Sequence, residues 1–121
     1  MRRIRLDNQE VFNIAYDILL QGGVIIYPTD TLYGLGGDAT NGETVKKINK
    51  IKKRYSPLSV LAPDIDTALS WMNLKKGGKI KVSKILGGKT TVIVPVLKDI
   101  VHSLVVGNNN TLGIRLSLIH I

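Results

Sequence analysis

Apolar residues near the start of the chain recur at helical spacing. One window is apolar at i, i+3, i+4, i+7 and i+8, which predicts a helix with one packed side; these positions are Val11, Ile14, Ala15, Ile18 and Leu19. Asn8 is the predicted N-cap of this helix, and Gly22-Gly23 is its predicted end. The β-branched run at 24–27 then predicts a buried strand. Before the helix, alternating charged and apolar residues at 2–6 predict a short edge strand.

A second helix is predicted over 41–53. Thr40 and Glu43 have capping-box spacing, which marks a helix start. Its packed side would consist of Val45, Ile48 and Ile51.

The rest of the chain alternates between strands and helical segments. In order, the sequence predicts a buried strand at 58–61, a helix capped by Asp64 or Asp66 with Trp71 in the core, a turn at 75–78, a basic helix at 80–86, a strand at 90–96, a loop at 107–110 and a strand at 111–115. Pro95 places the 90–96 strand near a sheet edge. Strands separated by helices predict an α/β fold, with a twisted mixed sheet of parallel and antiparallel strands flanked by helices.

Length and composition narrow the choice of function. The 121 residues allow one domain, and an apolar content of 44% excludes a disordered tail. Lys and Arg outnumber Asp and Glu by 17 to 9, which suggests an anionic partner such as a nucleotide or RNA, or lysines that merely solvate helix faces. With no Cys and only two His, neither a disulfide framework nor a metal site is predicted. No apolar run is long enough to cross a membrane, so a cytoplasmic location without a membrane partner is expected.

Residues that could bind a ligand cluster in the stretch from Tyr27 to Asp38. It leaves a predicted strand at its carboxyl end, where open α/β sheets bind their ligands. Hydroxyl and carboxylate groups come from Thr29, Asp30, Thr31 and Tyr33, and the glycines Gly34, Gly36 and Gly37 would permit positive φ and close approach of a ligand. The alternative is an ordinary strand-to-helix connection.

Several segments, in this order and spacing, resemble the Sua5/YrdC/YciO family. They are Tyr27-Pro28-Thr29-Asp30-Thr31-Leu32-Tyr33-Gly34-Leu35, Lys52-Lys53-Arg54, Pro57-Leu58-Ser59-Val60, Thr91-Val92-Ile93-Val94 and Thr111-Leu112-Gly113-Ile114-Arg115. The resemblance implies a twisted α/β sheet over a basic concave surface. It also implies L-threonylcarbamoyladenylate synthase activity, in which L-threonine, bicarbonate or CO2, and ATP give threonylcarbamoyl-AMP and pyrophosphate.

The resemblance also implies residue roles. Thr31 would lie at the threonine substrate and Arg115 on its carboxylate, while Lys52, Arg54, Ser56 and Thr111 would contact ATP, and Thr29, Asp30, Tyr33 and Gly34 would support the loop. No side chain is an obvious covalent nucleophile, and no metal ligand is assigned. Mg²⁺ would accompany ATP. The planar guanidinium of Arg115 suits a carboxylate, and the charges of Lys52 and Arg54 suit a departing pyrophosphate.

The implied product serves the N6-threonylcarbamoyl modification of adenosine 37 in tRNA, so a tRNA threonylcarbamoyltransferase would act downstream. Two alternatives to a threonine enzyme stay open. One is a non-catalytic module that binds tRNA or double-stranded RNA. The other is an enzyme that activates a different amino acid.

The end of the chain departs from the family pattern. Residues 1–115 are predicted to be the N-terminal part of a YrdC-like domain that is incomplete at its C-terminus, because family members continue through a further nucleotide-contacting segment. Residues 116–121 resemble the translation of a sequencing adaptor and are predicted to be a non-native tail. The chain as given would then be an inactive fragment of the enzyme.

Overall fold

The structure, a computed structural model, describes residues 2–28, 33–53, 58–87 and 90–117. These residues form four helices and five strands: α1 (Val11–Leu20), β1 (Ile25–Pro28), β2 (Tyr33–Gly36), α2 (Gly42–Lys52), β3 (Ser59–Ala62), α3 (Ile65–Trp71), α4 (Lys76–Ile85), β4 (Val92–Pro95) and β5 (Thr111–Leu116). A short 3-10 turn, Asn108–Asn110, leads into β5.

The strands form two sheets within the described residues. β1 and β2 pair as an antiparallel hairpin, and β5 lies between β3 and β4, parallel to β3 and antiparallel to β4. The α/β prediction with parallel and antiparallel strands is therefore confirmed, although the described strands make two sheets where one was expected. Among the described strands β4 is the outermost of its sheet, so Pro95 lies near an edge, as predicted, and an isolated bridge between Met72 and Val96 covers the end of that edge.

The hydrophobic core lies on one face of the three-stranded sheet. Strand residues of this face are packed against helices α2, α3 and α4 and against the segment after β4. The fully or almost fully buried side chains include Ala62, Val92, Val94, Leu112 and Ile114 from the strands and Val45, Ala68, Met72 and Val82 from the helices and their ends. Trp71 is half-buried against this core.

Helix α1 confirms the predicted period but differs at its start. Asn8 is not the N-cap: its side chain accepts the Glu10 N–H at 2.8 Å, in a turn before the helix. The helix ends as predicted, because Gly22 has φ 81° and the Gly23 N–H donates to Ile18 at 2.8 Å. None of its residues is fully buried. Residues 2–6 form no strand, and the strand at β1 is half-exposed where a buried one was predicted.

Helix α2 begins one residue later than the capping box predicted. Asn41 is the N-cap, accepting from Glu43 and Thr44, while the Thr40 hydroxyl bonds Asp38 at 2.6 Å. The buried side runs through Thr44, Val45, Ile48 and Asn49. Ile51 is 59% exposed, so its predicted burial is wrong: at about 100° per residue it lies roughly a quarter turn from the centre of that side.

Helix α3 begins as predicted, whereas α4 begins earlier than predicted. Of the two candidate caps, Asp64 and Asp66, it is Asp64 that caps α3: it accepts the Thr67 N–H at 2.7 Å, and this hydrogen bond holds the pKa of the Asp64 carboxyl below its usual range. The predicted turn at 75–78 is the first turn of α4, because two glycines do not prevent a helix whose later residues pack on the core. The strands predicted at 58–61, 90–96 and 111–115 are confirmed, each within a few residues.

Candidate functional site

The candidate site lies on the face of the three-stranded sheet opposite the core. Side chains alternate along β5, so the burial of Leu112 and Ile114 places Thr111, Gly113 and Arg115 on the other face. Pairing partners share a face, and this extends the surface to both neighbouring strands. Its members are Ser59 and Leu61 from β3, Ile93 and Pro95 from β4, and Thr111, Gly113 and Arg115 from β5. We call these residues the open sheet face.

Thr111 begins β5 at the end of a tightly bonded turn. Its hydroxyl donates to the Asn108 carbonyl at 2.8 Å, and the Asn110 side-chain amide donates to the Val96 carbonyl at 2.8 Å. Asn109 and Asn110 both adopt left-handed backbone conformations, which asparagine tolerates. Because the Thr111 proton is used within the turn, its oxygen would act toward a ligand as an acceptor.

Arg115 is half-buried on the open sheet face, in register with Leu61. The strand between Thr111 and Arg115 spans about 13 Å. Between them lies Gly113, where a Cβ would come within 3.0 Å of Ser59 Oγ. Because glycine has no side chain, none projects from β5 at the middle of this face. The structure therefore brings together two of the predicted ligand residues, one for ATP and one for threonine.

Lys52 is the last residue of α2 and is exposed. It follows Ile48 by four residues and Asn49 by three, so it continues the packed side of the helix beyond the core. The next residue, Lys53, is the C-cap, with φ 56° and ψ 38°. The two other predicted ATP contacts of this segment, Arg54 and Ser56, lie outside the described residues.

The stretch predicted as one ligand loop is a hairpin. Tyr33 and Gly34 belong to β2, opposite Pro28 and Tyr27, while Thr29, Asp30 and Thr31 lie outside the described residues. The Tyr27 ring covers the two strand glycines: a Cβ at Gly34 would lie 2.9 Å from Tyr27 Cζ, and one at Gly36 would lie 2.7 Å from Cε1. The prediction that these glycines serve positive φ is wrong, since the described glycines with positive φ are Gly22 and Gly87.

Sequence reasoning did not include Ser59 and Ile93 in the site. Ile93 is 76% exposed on the open sheet face, although its strand was predicted from its β-branched residues. Alternation within β4 and β5 contains the signal, but only the pairing of Ile93 and Ser59 with Gly113 shows that all three share one surface.

Two concavities lie away from this face. One, of about 500 Å³, is lined by the N-terminal segment and Ile14, and one of about 240 Å³ is lined by residues of α1 with Gly37 and Asp38. We place the site on the open sheet face because two of the predicted ligand residues, Thr111 and Arg115, share it. Among residues 2–28, 33–53, 58–87 and 90–117, no group of three acidic or histidine side chains could hold a metal. The helices described there are too short or too polar to cross a membrane.

A mixed sheet with one packed face, and with a guanidinium on its open face, defines an α/β protein suited to an anionic ligand. The Sua5_yciO_yrdC family model, described as "Telomere recombination", matches residues 17–121. The chain belongs to the Sua5/YciO/YrdC family, which confirms the resemblance noted in its sequence.

The relatives support this membership. A threonylcarbamoyl-AMP synthase of Saccharophagus degradans is 36% identical over 104 residues, which cover 82% of this chain and 53% of the relative. A putative threonylcarbamoyl-AMP synthase of Methanocaldococcus jannaschii is 31% identical over 100 residues, covering 78% of this chain and 48% of the relative. The chain thus spans about half the length of these curated relatives.

Solved structures confirm the fold. Sua5 of P. abyssi, complexed with L-threonine, is similar with a TM-score of 0.77 at 24% identity, over 95% of this chain and 34% of that one. YciO of E. coli gives a TM-score of 0.75 at 23% identity, over 90% of this chain and 54% of that one. MTH1692 of Methanobacterium thermoautotrophicum gives 0.70 at 28% identity, over 96% and 57%.

Proposed function

We propose that the protein to which this chain belongs is an L-threonylcarbamoyl-AMP synthase. It converts L-threonine, bicarbonate or CO2, and ATP to threonylcarbamoyl-AMP and pyrophosphate. The observation that carries the proposal is the placement of Thr111 and Arg115 on one open sheet face, in a chain of this family. The names of the relatives support the reaction, and the L-threonine complex of P. abyssi Sua5 supports the amino acid.

Threonine binds through its carboxylate to Arg115. A guanidinium offers two parallel N–H donors at the spacing of two carboxylate oxygens, and it stays charged at any physiological pH. The half-buried position of Arg115 strengthens this pairing relative to one in bulk water. Thr31 from the hairpin contacts the same substrate, and Thr29, Asp30, Tyr33 and Gly34 support that contact.

ATP enters as its Mg²⁺ complex, so the metal is part of the substrate and is held by phosphate oxygens. Lys52 and Arg54 bind the phosphates, Ser56 adds a polar contact, and Thr111 accepts a hydrogen bond from the nucleotide. The separation of about 13 Å between Thr111 and Arg115 is sufficient for an amino acid and a nucleotide to lie side by side.

The reaction needs positioning and charge stabilisation rather than a covalent enzyme intermediate. The threonine amine attacks CO2, forming the carbamate N–C bond and releasing one proton to solvent. A carbamate oxygen then attacks the α-phosphorus, and the bond to the pyrophosphate oxygen breaks. Lys52 and Arg54 stabilise the charge that develops on the departing pyrophosphate.

Pyrophosphate release tests the proposal. We would measure it with ATP, L-threonine and bicarbonate, for this chain and for the full-length protein encoded at its locus. We expect release by the full-length protein that depends on both threonine and bicarbonate. Release without bicarbonate would indicate activation of a carboxylate instead, and no release from a folded full-length protein would refute the synthase.

A second function is favoured by the net charge of +8 and by exposed lysines along α2. It is binding of tRNA or double-stranded RNA, which in a synthase would bring the product near the tRNA and a downstream threonylcarbamoyltransferase. Binding through phosphates weakens steeply with salt. A flat salt dependence of tRNA affinity between low and physiological salt would argue against this role.

A further inference from the structure

Lys53 has a backbone conformation that lysine rarely adopts. Among the described residues, the non-glycine residues with positive φ are Lys53, Asp99, Asn109 and Asn110. Asp and Asn tolerate the left-handed region because their short polar side chains bond locally, whereas a lysine gains nothing there from its side chain. Lys53 is therefore the exception in this set, and a glycine at this position would avoid the strain.

The end of helix α2 explains why residue 53 has a left-handed backbone conformation, but it does not explain why this residue is a lysine. Its N–H donates to the carbonyls of Asn49 and Lys50, which closes the last turn of α2. A left-handed residue is the usual way to end a helix in this manner, and glycine is the usual residue. The geometry therefore calls for a residue that adopts positive φ, and it does not call for an ammonium group.

The local charge does not explain the lysine either. Cations near a helix C-terminus interact favourably with its dipole, but Lys50 and Lys52 already occupy the last turn. Among the described residues, ion pairs join Arg5 with Asp7 and Glu43 with Lys46, and neither of these involves Lys53. A third cation therefore adds repulsion that an acidic group of the described residues does not offset.

We propose that Lys53 is a phosphate-contacting residue that binds the triphosphate of ATP beside Lys52. The inference rests on the proposed function, since it extends the phosphate site by one residue. Strain that persists next to a binding motif is expected where the side chain is needed for the ligand. The triphosphate carries enough negative charge to be shared by Lys52 and Lys53.

The test distinguishes the effect of the Lys53 ammonium group from the effect of the backbone conformation at this residue. In the full-length protein, Lys53→Gly and Lys53→Ala both remove the charge, but only Lys53→Ala keeps a strained residue. Lys53→Arg keeps the charge, and Lys50→Ala is the matched control because it removes one cation from the opposite side of the same helix end. We would measure the melting temperature, the Kd for tripolyphosphate by calorimetry, and the KM for ATP in pyrophosphate release.

We expect the ligand readouts to follow charge and the melting temperature to follow the backbone. Both neutral variants should weaken tripolyphosphate and raise the ATP KM about fivefold, while Lys53→Arg and Lys50→Ala stay near the parent. Lys53→Ala should melt about 2–4 °C below Lys53→Gly. A merely structural lysine would instead give normal ligand binding in the more stable Lys53→Gly.

Each outcome bears on one of the two proposals. Normal tripolyphosphate binding in both neutral variants would overturn the role of Lys53, as would a parent that binds no tripolyphosphate. A parent that releases no pyrophosphate, but whose tripolyphosphate affinity falls in both neutral variants, would refute the synthase and support Lys53 as a phosphate contact.

Discussion

The hydroxyl of Thr44 connects α2 to the turn that ends α1. Its Oγ1 donates to the Gly22 carbonyl at 2.9 Å, and the residue is 0% exposed. Its methyl carbon Cγ2 lies against Gly37, in the space that a side chain there would need. Thr44→Val keeps the shape and replaces the donor with a methyl group, whereas Thr44→Ser keeps the donor and removes the methyl. The pair therefore separates hydrogen bonding from packing.

The expected losses follow from burial. Thr44→Val leaves a carbonyl of buried Gly22 without this donor, which costs about 1–3 kcal/mol of unfolding free energy. Thr44→Ser removes one buried methyl, which costs about 1 kcal/mol. A loss of about 2 kcal/mol shifts the urea midpoint by about 1 M for a chain of this size. Thr40→Val removes an exposed hydroxyl that donates to Asp38, and because water can replace this donor the loss should be less than about 1 kcal/mol.

Equilibrium urea unfolding measures these differences. Trp71, the one tryptophan of the chain, packs partly against the core and reports its loss by fluorescence. The slope of free energy against urea should stay constant across the variants, so that midpoints compare directly. A Thr44→Val variant as stable as the parent, with the same slope, would show that the hydrogen bond contributes nothing.

Three further changes test other parts of the structure. Asn49 is 4% exposed, and its Oδ1 accepts no hydrogen bond within the described structure. Asn49→Leu should therefore increase the free energy of unfolding by about 1 kcal/mol and raise the urea midpoint. A lower midpoint would contradict this. The Asp64 pKa is lowered by its bond to the Thr67 N–H, so its contribution is present above the unfolded pKa of about 3.9 and is lost as pH falls through the lower folded value. Asp64→Asn should flatten stability against pH in that window, and an unchanged curve would count against the cap. In the full-length protein, if it is the proposed synthase, Arg115→Lys should raise the threonine KM about tenfold through loss of the bidentate pair, with little change in the ATP KM. Equal changes in both KM values would argue against a carboxylate contact.

Local patterns predicted those parts of the fold that local physics determines. Spacing and propensity alone predict the helical period of α1 and its end at two glycines. They also predict the strands at 58–61, 90–96 and 111–115. The cap of α2 was misplaced by one residue because Thr40 and Asn41 are both good caps, and Asp38 takes the Thr40 hydroxyl. The start of α4 was missed because Gly77 and Gly78 have low helix propensity, which packing further along the helix overrides.

The candidate site, too, was predictable where local patterns determine it and was missed where tertiary contacts determine it. Alternation along β5 is enough to place Thr111 and Arg115 on one face. Which neighbours share that face depends on register, and the paired residues of β3 and β5 are 54 positions apart, so they leave no local signal. Tyr33–Gly36 was read as a loop because three residues from 34 to 37 are glycine. In the structure the missing side chains are replaced by the Tyr27 ring from the opposite strand, which is a tertiary contact.

The central position of β5 explains why its residues suit a reaction that depends on placement. The strand is paired on both sides and its alternate side chains, Leu112 and Ile114, are buried, so its backbone has little freedom. Groups on a rigid central strand hold a substrate more precisely than groups on loops. Lys52 and Lys53, by contrast, are exposed at a helix end, where long side chains can follow phosphates as the pyrophosphate departs. In the proposed site, residues on the rigid strand β5 thus bind threonine, and the flexible side chains of Lys52 and Lys53 bind the departing pyrophosphate.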